Sequence, residues 1–110
     1  MTVRTTPEVY NALVHGITVR WPMLREGVQA PTCQLCEVCE HIVGKSRPAE
    51  RCTVCPLADI GDACYRPSSA WAIYCTRRFN GYSVEQACDN MIARLQECLD
   101  TYFPDGRPTE

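Results

Sequence analysis

The sequence predicts a small, mainly α-helical domain with a loop-rich centre. Three observations point that way. Apolar residues recur at helical spacing towards both ends of the chain. The middle, from Ala30 to Pro67, shows no sustained period and is dense in cysteine, proline and glycine. No segment alternates polar and apolar residues as a half-buried strand would. A length of 110 residues with 45% hydrophobic content suits one globular domain with a modest core. Residues 1–104 are assigned to that domain, and Asp105 to Glu110 read as a flexible tail.

The first helix has Thr6 placed to cap it and Pro7 at a position that suits the first helical turn. Tyr10, Leu13, Val14, Ile17, Trp21 and Leu24 then form one apolar face. Pro22 lacks an N–H and disfavours helical geometry at Trp21, so a kink or break is expected there. Gly27 ends the segment. A second helix starts at Ser68 or Ser69, places Trp71, Cys75, Arg78 and Phe79 on one face, and stops at Asn80-Gly81. Ser83-Val84-Glu85-Gln86 has the spacing of a capping box. It precedes a continuous stripe of Cys88, Met91, Ile92, Leu95, Cys98, Leu99 and Tyr102, with Pro104 beyond the end.

Nine cysteines need a chemical explanation. The stretch Met1 to Tyr10 lacks the charged start, apolar run and cleavage site of a secretory signal. No apolar run approaches the length that spans a bilayer. The cysteine count is odd and the residues are bunched in C-x-x-C pairs, which make good chelates and poor long-range staples. A reducing, cytoplasmic compartment with thiolate–metal bonds is therefore expected in place of disulfides.

Cys33-Gln34-Leu35-Cys36 and Cys52-Thr53-Val54-Cys55 read C-x2-C-x15-C-x2-C, inside the spacing window of zinc sites. Two intervening residues let a tight turn offer two sulfurs to one ion, and two such turns complete a closed tetrahedron. Such a site is structural and supplies folding energy to a region without its own core. Cys39 and Cys64 are additional thiols, either of which could replace one of the four or sit buried and inert. The alternative metal is an iron–sulfur cluster. Cys33, Cys36 and Cys39 have its spacing and Cys55-Pro56 its terminal dipeptide, but the compact pattern needs a cysteine where Val43 stands. Cys75, Cys88 and Cys98 are read as small core residues. His15 is read as a helix-surface residue and His41 as a loop residue.

From about Asn11 to Leu99 the layout resembles a family of small cysteine-rich proteins encoded in bacteriophages and prophages. The resemblance rests on Ala12-Leu13 through Trp21 and Glu26-Gly27, on Cys33-Gln34-Leu35-Cys36, and on Cys52-Thr53-Val54-Cys55-Pro56-Leu57 with Gly61 and Cys64. It rests also on Pro67-Ser68-Ser69-Ala70-Trp71 before the closing amphipathic helix. It implies Cys33, Cys36, Cys52, Cys55 and Cys64 as the metal cysteines and a phage setting, and brings no activity with it. Cys39 and the longer loop from Glu40 to Arg51 depart from the pattern.

Function follows less directly. The leading expectation is a non-enzymatic, metal-stabilised scaffold that binds a protein partner. In the phage setting that partner is a host or phage protein, including a defence component that the chain would inhibit. The alternative is nucleic-acid binding through Lys45, Arg47 and Arg51, with Arg66, Arg77 and Arg78. The formal net charge of −2, made more negative by zinc-bound thiolates, disfavours it. Catalysis is not expected. The zinc deaminase signature needs H-x-E ahead of P-C-x-x-C, whereas here proline follows the pair. Asp59 and Asp62 flank Gly61 and read as a turn.

Overall fold

Thr6 opens the first helix as expected: its side chain accepts the Val9 N–H at 3.3 Å, and Pro7 takes the first position of α1 (Pro7–His15). The computed structural model describes residues 5–28, 34–43, 55–62 and 67–108. Pro22 does not break this element. A π-helical turn over Gly16–Arg20 leads directly into α2 (Trp21–Arg25), with the Trp21 N–H bonded to the Gly16 carbonyl. In a regular α-turn the Pro22 ring would strike the carbonyl four residues earlier; the wider π register relieves that clash. Gly27, at φ +76°, closes the segment, and the Val28 N–H returns to the Met23 carbonyl.

The centre is more helical than expected. Instead of a loop, residues 34–43 form α3 (Gln34–Val43). Leu35 and Cys39 are buried and Val38 packs beside them, the i, i+3, i+4 set of an amphipathic helix. The cysteine spacing masks that pattern, because one of its apolar positions is itself a cysteine. A short helix, α4 (Pro56–Asp59), follows the second pair, with Pro56 and Leu57 buried. This part of the expected coreless module thus shares the protein's common core. Gly61, at φ +79°, turns the chain so that the Asp62 N–H reaches the Leu57 carbonyl at 2.9 Å.

Ser69 caps α5 (Ala70–Phe79), accepting the Ala72 N–H at 3.1 Å. The Asp62 carboxylate accepts the Ala70 N–H at 3.2 Å and so fastens α4 to the head of α5. Asn80 and Gly81 end the helix as the sequence predicts. The face read on α5 is corrected: Ala70 and Tyr74 are buried, Trp71 is half-buried, and Cys75, Arg78 and Phe79 are exposed.

The last helix, α6 (Glu85–Tyr102), follows Val84 without a side-chain cap. The expected capping box does not form, because Ser83 lies one residue too far from the helix start. Its carbonyl instead accepts the Arg77 Nε–H at 2.6 Å. The predicted stripe does face the core. Cys88, Met91, Leu95 and Cys98 are buried, with Ile92, Leu99 and Tyr102 packed at its margin.

Helix α6 packs against α5, α2, α1 and α4, while α3 packs on α1. Gly16 permits a close approach: a Cβ there would lie 2.8 Å from Leu95 Cδ1. Trp21 is buried edge-on to Tyr74, with ring centroids 5.0 Å apart. Arg25 ties α2 to the head of α6 through Asp89 at 2.9 Å, a pairing that raises its pKa. Past α6, Phe103 is buried edge-on to Tyr10, and the Arg107 Nε–H bonds to Asn11 at 3.3 Å. Among the described residues, no helix is long and apolar enough to cross a membrane.

Candidate metal centre

Two of the five expected metal cysteines, Cys36 and Cys55, fall among the described residues; Cys33, Cys52 and Cys64 lie outside them. Cys36 is the third residue of α3 and half-buried. In the first turn of a ten-residue helix the exposed end of the amide ladder favours an anion, which suits a thiolate ligand. Cys55 is also half-buried and stands immediately before α4, with extended backbone. The turn geometry expected around the first pair is corrected: Cys36 projects from a helix.

Cys39 differs from Cys36 although they are only one turn apart. It has no accessible surface and packs with Leu35 in the common core. Its position is that of a small apolar residue, in line with its departure from the ligand spacing. Cys88 and Cys98 are likewise buried core residues on α6, as expected. Burial pushes the Cys88 thiol above its ordinary range and Asp89 adds to the shift, with Arg25 opposing it. A thiol held protonated in this way is a poor metal ligand. Cys75 is the exception among the helix cysteines: it is exposed, not in the core. Partial burial still raises its pKa, against the opposing fields of Arg20 and Arg78.

The histidines also depart from expectation. His41 is exposed but belongs to α3, not to a loop. His15 is half-buried at the end of α1, and its buried Nδ1 has no hydrogen-bond partner among the described residues. Leaving such an atom unsatisfied costs about 1–3 kcal/mol. The half-buried thiols at Cys36 and Cys55 are a donor chemistry that fits zinc. Among the described residues themselves, no three His, Cys, Asp or Glu side chains converge as a metal-holding group.

Of the basic residues considered for nucleic acid, Lys45, Arg47, Arg51 and Arg66 lie outside the described residues. Arg77 and Arg78 are exposed at the end of α5. Asp62, read from the sequence as a turn residue, holds the start of α5. Its separation from Ala70 is no capping spacing, so the sequence carried no signal for that bond. Nor did it signal the stacking of Arg20 on Trp21 and Trp71, which depends on how α2 meets α5. Comparison with family models, with characterised proteins and with solved structures finds no match to this chain.

Proposed function

We propose that this chain is a small zinc-stabilised protein-interaction module that acts by binding, not by catalysis. The observation that carries the reading is the spacing C-x2-C-x15-C-x2-C formed by Cys33, Cys36, Cys52 and Cys55. Cys64 is the further thiolate available to the same ion. The zinc would be structural, neutralising thiolates and joining the segments that lead into α3 and α4. The chain's own residues carry that constraint onward. Cys55 precedes α4, the Gly61 turn follows it, and Asp62 holds the first amide of α5. Metal binding would in this way steady the helix with the most exposed aromatic surface. The resemblance to phage proteins makes a host or phage protein, including a defence protein to be inhibited, the partner we propose, with the host cytoplasm as the setting.

The test is metal analysis of protein purified without added metal, with about one zinc per chain expected. Cys36→Ser or Cys55→Ser should release it, whereas Cys88→Ser should retain it. A brown protein with visible absorbance would favour the iron–sulfur alternative. Well-folded, metal-free protein in which every thiol reacts would sink both versions.

A further inference from the structure

We propose that the C-terminal half of α5, with Phe79, Arg77 and Arg78, docks an acidic segment of a partner protein that inserts an apolar side chain. This names the partner class for the binding role proposed above and rests on that role, though not on the metal.

Phe79 is 91% exposed, and Tyr82, three residues on, is 63% exposed. Ile73, on the same helix, is also exposed. Phe79 cannot be buried by turning the helix. It lies roughly 140° around α5 from Tyr74, and Tyr74 is fixed in the core against Trp21. A bare phenyl ring on a helix anchored in the core by Ala70 and Tyr74 is a large apolar area open to a partner.

The charge around it is one-sided. Residues 67–84 contain two arginines and no lysine, aspartate or glutamate. That stretch is therefore formally +2 in a chain of −2. The guanidinium groups are held in place, but not by carboxylates. Arg77 bonds the Ser83 carbonyl and lies 5.6 Å from the Tyr82 ring centre; Arg78 bonds the Tyr74 hydroxyl at 3.2 Å. Among the described residues, neither has an acidic partner. Ordered guanidinium forks beside an exposed aromatic match a carboxylate-bearing segment with an apolar anchor.

Single-stranded nucleic acid could also stack on such rings. Two guanidiniums would neutralise only about two phosphates, a weak hold with a shallow salt slope of roughly −1.4. The remainder of the chain, formally −4, would oppose even that.

The test uses the full chain and fluorescein-labelled peptides in which phenylalanine or leucine is flanked by aspartate and glutamate. A lysine-flanked version and oligo(dT) serve as comparison probes, read by fluorescence anisotropy near physiological ionic strength. The acidic peptide is expected to bind and the other two are not. Phe79→Ser, and Arg77→Glu with Arg78→Glu, should each weaken binding about tenfold, with zinc content and circular dichroism unchanged. Failure of the acidic peptide to bind, or binding indifferent to these variants, overturns the proposal. Tighter binding of oligo(dT) overturns it in favour of nucleic acid. Self-association abolished by Phe79→Ser overturns it in favour of a second copy of this chain. Zinc present without peptide binding breaks this inference alone; peptide binding by a metal-free protein breaks the zinc reading alone.

Discussion

Helices α6 and α3 are built on the same apolar period, yet the sequence displays one and hides the other. Over eighteen residues α6 sets Cys88, Met91, Leu95 and Cys98 in the core, with Ile92, Leu99 and Tyr102 along its edge. Over ten residues α3 buries Leu35 and Cys39 beside the half-buried Val38. The first pattern repeats often enough to exclude other periods. The second spans barely one turn, and its central residue looks like a ligand. The two helices also differ in what holds them. Helix α6 packs against four other helices and the π turn, whereas α3 is joined chiefly to α1. One helix therefore stands on packing, and the other has room for a second source of stability.

The strongest challenge to that contrast is a charge placed in the α6 stripe. Leu95 is 4% exposed and faces Gly16 across the junction of α6 with the π turn. Leu95→Asp removes a core side chain and buries a carboxylate among apolar neighbours. A loss of about 4 kcal/mol or more is expected. Chemical denaturation followed by circular dichroism should find most of the protein unfolded without denaturant. A midpoint close to that of the parent would mean that α6 is not the axis of the core.

Legibility in the sequence followed the range of the interaction. Thr6 and Ser69 could be read as caps because their bonds span three residues. Gly27 and Gly81 could be read as stops because their positive φ is a local requirement. Ser83 misled because Val84 separates it from the helix start, and its carbonyl answers Arg77 from the preceding helix. Phe79 and Cys75 were grouped on one face of α5, but Cys75 was read as a core residue, and which face meets the core is decided by Trp21 and Tyr74. The candidate metal residues were legible by spacing alone. The contrast between half-buried Cys36 and fully buried Cys39 was not, since it depends on how α3 meets α1.

Metal removal sharpens the comparison at intermediate scale. If zinc supports the segments leading into α3 and α4, chelation should loosen them before it loosens α6. Hydrogen exchange read by mass spectrometry should rise first in peptides covering residues 34–43 and 55–62. Those from residues 85–102 should retain protection, because local opening follows the local density of buried contacts. The α5 surface should respond between the two, through the Asp62 bond to Ala70. Equal acceleration in all peptides would show one cooperative unit. No acceleration after complete metal loss would show that α3 stands on packing as fully as α6 does.

The smallest expected effect is the most specific, because two opposed terms set its sign. Gly16 has ordinary right-handed helical geometry, with φ −59° and ψ −43°. Alanine there should gain about 0.5–1 kcal/mol from reduced chain entropy. Its Cβ would, however, stand 2.8 Å from Leu95 Cδ1. Leu95 is packed in the core and has little room to change rotamer, so overpacking should cost about 1–3 kcal/mol. The contact is expected to win, leaving Gly16→Ala destabilised by roughly 1 kcal/mol. Leu95→Ala removes the colliding methyl, and Gly16→Ala should then become stabilising in that background. A double-mutant cycle measured by denaturant midpoints isolates this reversal from the cost of the cavity itself. If Gly16→Ala has the same sign and size in both backgrounds, the close approach does not explain the glycine. If the sign reverses, residue 16 is glycine because α6, the helix most legible in the sequence, sits against the one turn whose irregular register the sequence did not reveal.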